Sequence, residues 1–267
     1  MESRQKLGIL VPTYNEIENI TLMLGELDKI LGKISNYQTT IVVIDDNSPD
    51  GTAKQAKKFK PKFVNVKLLS GEKNGLGTAL VKGYKYATNI LKADLVGSID
   101  ADFLFDPRDL PKLIRMIEKG RDVAIGSRHH KGGFRVANWP LSRYITHWIA
   151  NDFFARIIAG NNGVVDHNGN FRVIRSSILN RIDWEKLPTK GYGFLNYMIY
   201  EMGKYGAKFG EVPVKLTWRT RGESKISFNP RYIRSFIQDT FEYIFLCFRI
   251  RFERILSYLR QLPLYII

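Results

Sequence analysis

Leu95-Val96-Gly97-Ser98-Ile99-Asp100-Ala101-Asp102 runs from an apolar strand pattern straight into a pair of carboxylates. Apolar and small residues without a polar alternate mark a strand covered on both faces. Such strands belong to parallel sheets, and open parallel sheets bind ligands beyond the carboxyl ends of their strands. Two carboxylates one residue apart at that place can share a hard divalent cation, with Mg²⁺ or Mn²⁺ suiting oxygen ligands. An ordinary acidic turn has the same three letters, so the reading depends on what surrounds it.

The surroundings repeat the pattern. Leu7 to Pro12, Thr40 to Asp45, Val64 to Leu69 and Val123 to Ser127 read as further buried strands. Between them, helical spacing of apolar residues covers Ile17–Leu31, Leu76–Ala87 and Pro107–Glu118. Polar groups collect where four of these strands end: Thr13-Tyr14-Asn15-Glu16, Asp45-Asp46-Asn47-Ser48, Asp100-Ala101-Asp102 and Ser127-Arg128. The alternation predicts an α/β fold with a mostly parallel sheet and helices on both faces. Beyond residue 130 the pattern is less regular. Helices are expected over Pro140–Ala159 and Phe194–Lys204, and strands over Phe171–Arg175 and Val212–Trp218.

Each cluster also has a bland reading. Asp45 to Thr52 is rich in turn formers, and Asp50 or Thr52 can cap a helix while Asp45 meets a nucleotide hydroxyl. Gly75-Leu76-Gly77 opens a helix, where it either faces an anion or lets the helix pack closely; close packing is favoured, and no Walker loop follows. His129-His130 and His167 show no metal-ligand spacing to nearby carboxylates and read as surface or pocket histidines.

The net charge of +15 calls for an anionic partner: nucleic acid, lipid head groups or phosphorylated small molecules. Nucleic acid is disfavoured, because the basic residues form no recognisable motif and the acidic strand ends repel a phosphate backbone. A single cysteine, Cys247, excludes an internal disulfide and a cysteine zinc site. The start carries no apolar signal core, and no run approaches the ~20 apolar residues of a membrane span. A soluble or peripheral, cytoplasmic protein is expected. Residues 229–267 differ in character: aromatics interleave with arginines, as in interfacial amphipathic helices. Packing of that tail on the domain is the equal alternative. Two domains are therefore expected, 1–228 and 229–267.

Taken together the motifs resemble a family-2 glycosyltransferase of GT-A fold, most like the dolichol-phosphate mannose synthases. The strings are Val11-Pro12-Thr13-Tyr14-Asn15-Glu16, Asp45 to Thr52, Gly75-Leu76-Gly77-Thr78-Ala79, Asp100-Ala101-Asp102, Gly126-Ser127-Arg128 and Gly222-Glu223-Ser224-Lys225. They occur in the family's order over residues 7–228. The resemblance implies that Pro12, Tyr14, Glu16, Asp45, Asp100, Ala101 and Asp102 bind the nucleotide-sugar, with Asp100 and Asp102 on the metal. It implies that Arg128, Arg219 and Lys225 hold phosphates, and that Arg143 and Arg219, with Thr146 or His147, meet the acceptor phosphate. Asp102, Arg128 and Arg219 are the residues it places in catalysis. The implied reaction moves a sugar, mannose from GDP-mannose, to a polyprenyl phosphate at the cytoplasmic face of a membrane. A UDP-sugar donor and a catalytically degraded nucleotide-binding subunit are the alternatives. The chain departs from the family at Leu104, where a glutamine usually adds a metal ligand, at Phe194-Leu195-Asn196-Tyr197 for Phe-Gln-x-Glu, and at Gly169-Asn170-Phe171-Arg172 for Ser-Gly-Phe-Arg.

Overall fold

A computed structural model describes residues 4–130, 133–134, 141–160, 162–214, 216 and 233–260. The apolar strands are where the sequence puts them: β1 (Gln5–Thr13), β2 (Tyr37–Asp45), β3 (Asn65–Ser70), β4 (Leu95–Ser98) and β5 (Val123–Ser127). With β8 (Arg172–Arg175) and β9 (Phe209–Pro213) they form a seven-stranded sheet in the order β3-β2-β1-β4-β8-β5-β9. Every neighbouring pair is parallel except the two made by β8, which is antiparallel to both β4 and β5. A hairpin of β6 (His129–His130) and β7 (Gly133–Phe134) follows β5.

Alternation along the strands builds two cores. Leu7, Ile9 and Val11 of β1 and Ile41 and Val43 of β2 meet α1 (Ile20–Leu31) and α4 (Leu110–Glu118) on one face. Leu10, Val42 and Ile44 point the other way, to α3 (Leu76–Lys85) and α7 (Gly193–Lys204). Gly83 lets α3 lie close to the sheet: a Cβ there would stand 2.5 Å from the Ile44 Cδ1 and 2.9 Å from the Leu10 Cδ1. Pro12 costs no ladder bond to β4, because that pairing ends at Leu10.

Several boundaries differ from the periodicity. The first helix starts at Ile20 instead of Ile17, since Asn15 (φ 54°) turns the chain and Glu16 closes a turn onto Asn19. Pro107–Asp109 is a 3₁₀ turn leading into α4. The last expected strand ends at Pro213, and Trp218 lies outside the described residues. Helix α5 (Leu141–His147) continues as a π-helical stretch, Trp148–Ile158.

The described part of the tail is helical, as expected: α8 (Ile233–Leu259). Its Leu246, Cys247 and Ile250 are buried against Tyr197 and Tyr200 of α7 and Ala159 after the π-helical stretch. The Tyr243 hydroxyl donates to the Ala150 carbonyl at 2.9 Å. The opposite side exposes Phe241, Phe245, Phe248, Phe252, Tyr258 and Leu259. Ile145, Trp148, Ile149, Phe153 and Ile157 of α5 and its extension are also exposed. The helix thus packs with one side and leaves the other apolar. No described helix is long and apolar enough to cross a membrane.

Candidate active site at the strand ends

Among the described residues, the loops after β1, β2 and β4 carry three of the four non-glycine residues with positive φ: Asn15, Asn47 and Phe103 (φ 58°). Left-handed backbone is costly for an aromatic residue, and such strain concentrates at functional sites. The first two loops are tied together, for the Asn15 amide donates to the Ser48 hydroxyl at 3.0 Å. Glu16 is buried; its amide donates to Thr52 Oγ1 at 2.9 Å and its carboxylate accepts from Asn19. Lys73 lies over the Tyr14 ring, 3.9 Å from its centre.

Asp45 is fully buried. It accepts from Thr13 Oγ1 (2.9 Å), Ser48 Oγ (2.6 Å) and the Ser48 amide (3.0 Å). A nucleotide hydroxyl would compete with these serine and threonine donors for the same oxygens. Asp50 takes the helix-start role: its Oδ1 accepts from the Thr52 amide at 2.9 Å, beside Gly51 at φ 92°. Gly77 is used for close packing, as favoured, but against α7 rather than a strand. Its amide donates to the Lys190 carbonyl at 2.8 Å, and a Cβ would stand 2.8 Å from that oxygen and from Phe194 Cβ.

At the end of β4, Ala101 is buried and Asp100 and Asp102 are half-buried. Asp102 Oδ1 accepts from the Leu104 amide at 3.0 Å, and Asp100 Oδ1 accepts from Asn170 Nδ2 at 2.8 Å. Asn170 comes from the loop before β8, is buried, and its own Oδ1 has no hydrogen-bond partner. A buried carbonyl-type oxygen without a donor, held beside a carboxylate, is costly unless a cation or donor meets it. Asp100, Asp102 and Asn170 together fit a hard cation such as Mg²⁺ or Mn²⁺.

Arg172 holds that loop in place. It is fully buried and donates to the carbonyls of His167, Gly169 and Leu195 at 2.6, 2.8 and 2.8 Å. Burial pushes its pKa down to about 10. The sequence pattern marks Gly169-Asn170-Phe171-Arg172 as a departure from the family and gives Asn170 and Arg172 no role of their own. Asp166 on the same loop was missed altogether.

Arg128 donates to Asp166 from its backbone amide (2.9 Å), from Nε (2.6 Å) and from Nη2. Burial pushes the Asp166 carboxyl up, but the charge and hydrogen bonds of Arg128 outweigh it and hold the group below the usual carboxylate range. The charge expected to hold phosphate is thus matched by a buried carboxylate through one edge of the guanidinium. Arg143 stands half-buried on α5. Arg219 and Lys225 lie outside the described residues. His129 and His147 approach each other at 3.3 Å between Nε2 atoms. Burial lowers both pKa values, that of His147 to about 3.

Residues 8–183 match the family described as Glycosyl transferase family 2. The chain belongs to glycosyl transferase family 2. An undecaprenyl-phosphate mannosyltransferase of Micrococcus luteus is 35% identical over 219 residues, covering 82% of this chain and 86% of the relative. A polyprenol monophosphomannose synthase of Mycolicibacterium smegmatis is 34% identical, with 84% and 82% covered. A dolichol-phosphate mannosyltransferase of Pyrococcus furiosus is 34% identical over 83% of this chain, which spans only 59% of that protein. Among solved structures, glucosyl-3-phosphoglycerate synthase of Mycobacterium tuberculosis, in complex with Mn²⁺ and UDP-glucose, superposes with a TM-score of 0.65. It is 16% identical, and 91% of this chain and 79% of that one are covered. A mannosyltransferase of Pyrobaculum calidifontis, in complex with GDP-mannose and Mn²⁺, gives 0.55 at 14% identity, with 98% and 77% covered. These neighbours share the fold: the mostly parallel sheet between helices that the alternating strands predict, and the GT-A architecture that the resemblance implies.

Proposed function

We propose that the protein transfers mannose from GDP-mannose to a polyprenyl phosphate at the cytoplasmic face of a membrane. The observation that carries this reading is the carboxylate pair at the end of β4, joined by Asn170, in a chain matched along most of its length by polyprenyl-phosphate mannosyltransferases. Asp100, Asp102 and Asn170 would hold Mg²⁺ or Mn²⁺, which would supply positive charge against the departing diphosphate.

The protein's own residues bind and align. Pro12, Tyr14, Glu16, Asp45 and Ala101, with Asp100 and Asp102, bind the nucleotide-sugar, and Arg128 and Lys225 serve its phosphates. Arg143 and Arg219 receive the acceptor phosphate. That phosphate is an anion at neutral pH, so an oxygen attacks the anomeric carbon without a general base, and the nucleoside diphosphate leaves. Alignment and charge neutralisation then supply the catalysis. Residues 229–267, with the exposed side of α5, form a membrane-facing unit. Exposed aromatics enter the interface, and a basic protein is drawn to the anionic cytoplasmic leaflet.

Thermal shifts in Mn²⁺ test the donor: GDP should raise the melting temperature more than UDP. A larger shift with UDP would move the reading to a UDP-sugar enzyme.

A further inference from the structure

Three side chains outside the carboxylate pair converge around the start of the β6–β7 hairpin. His129 follows β5, His147 ends α5, and Asp152 lies in the π-helical stretch. One ligand atom from each comes within 4.8 Å of the others. His147 and Asp152 are five residues apart. On an α-helix that spacing sets side chains about 140° apart. In π-helical winding, the backbone bonds join residues five apart, so the two side chains share a face.

The spacing of the nitrogens is specific. Zinc binds imidazole nitrogen at about 2.0–2.1 Å, so the edge of a tetrahedral site is about 3.3–3.4 Å. His129 Nε2 and His147 Nε2 stand 3.3 Å apart. A single shared proton would explain that distance but not the carboxylate beside it. Arg156 Nη1 donates to Asp152 Oδ1 at 2.5 Å, the outer contact that orients a ligating carboxylate. Asn151 Nδ2 lies 3.3 Å from His129 Nε2 but only 2.8 Å from the Val165 carbonyl, so an ion would displace the longer contact and leave the shorter. With Tyr144, Ile145 and Trp148, the three residues line a cavity of about 470 Å³. Three protein ligands opening onto a cavity leave a fourth position for water.

We propose that His129, His147 and Asp152 form a second metal site, for a zinc-type divalent cation, separate from Asp100 and Asp102. Two imidazoles and one carboxylate favour Zn²⁺, whereas the carboxylate pair favours Mg²⁺ or Mn²⁺. The ion would tie the end of β5 to the helix that carries Arg143.

The test is titration of the chelator-treated 267-residue chain with Zn²⁺ against a chromophoric chelator, with Co²⁺ as a spectroscopic probe. One Zn²⁺ per chain is expected, together with the visible bands of tetrahedral Co²⁺. Binding should persist in the Asp100→Asn/Asp102→Asn variant and weaken at least about tenfold in His147→Ala and in Arg156→Met. Failure of the wild-type protein to bind Zn²⁺, an octahedral Co²⁺ spectrum, or loss of Zn²⁺ only in the Asp100/Asp102 variant would overturn the site. These readouts need no turnover, so they stand apart from the transferase reading.

Discussion

Replacing Asp166 with asparagine leaves Arg128 charged and buried without its counter-ion. The Arg128 side chain is 7% exposed and that of Asp166 0%. Three hydrogen bonds from Arg128 end on the one carboxylate. Removing one partner of a buried ion pair costs about 3–5 kcal/mol, most of it from stranding the other charge. Asparagine keeps one acceptor oxygen, so Asp166→Asn should fall near about 3 kcal/mol, and Asp166→Ala near the top of the range. The double change Arg128→Met/Asp166→Leu removes both charges and should cost less than the two single losses added together, with a coupling of about 2 kcal/mol or more. Urea unfolding measures all of these, provided the slope with denaturant is unchanged. A single-variant loss below about 0.5 kcal/mol, or additive losses in the double variant, would refute a buried, mutually dependent pair.

Other consequences are open to measurement. Asn170→Ala removes the donor to Asp100 and the orphaned oxygen, so nucleotide affinity in Mn²⁺ should drop about tenfold while affinity in EDTA stays unchanged; calorimetry in the two buffers compares them. Changing Phe241, Phe245 and Phe252 to serine should weaken binding to anionic vesicles at least about hundredfold. Melting temperature should hardly move, since these side chains are 59%, 71% and 62% exposed. Burial and the nearby Arg172 charge push His167 down to about 4. The unfolded chain therefore takes up the extra proton first, so stability is whole above pH 6.5 and falls as pH drops toward 4. At pH 5 the loss is about 2 kcal/mol from this group, and His167→Gln should flatten the slope of unfolding free energy between pH 6.5 and 5.

Strands β1, β2, β4 and β5 were legible because each is a short, mostly apolar run ending in polar residues, with Asp100 and Asp102 beyond the end of β4, whereas the edge strand β3 (Asn65-Val66-Lys67-Leu68-Leu69-Ser70) buries none of its residues fully. The four strand-end clusters do line one edge of the sheet. The strand expected over Phe171–Arg175 is there as β8, but the periodicity could not reveal its place: it joins the sheet antiparallel, between β4 and β5, strands far from it in sequence. That insertion delivers Asp166, Asn170 and Arg172 to the site, so the partners of Arg128 and Asp100 could not be found by local spacing. The histidines were set aside for the same reason. His129 lies 18 residues before His147, and the five-residue step from His147 to Asp152 misleads if α-helical winding is assumed. The tail was read as either packed or interfacial, and α8 has a side for each: Leu246, Cys247 and Ile250 are buried while Phe245 and Phe248 are exposed.

The central claim is mannosyl transfer through the carboxylate pair. It is tested most directly by incubating the protein with labelled GDP-mannose, polyprenyl phosphate and Mn²⁺, then extracting the lipid. The account predicts a labelled mannosyl-phosphoryl lipid that is lost with EDTA and in Asp102→Ala. Absence of lipid-linked label from the wild-type protein, or full activity in Asp102→Ala, would contradict it.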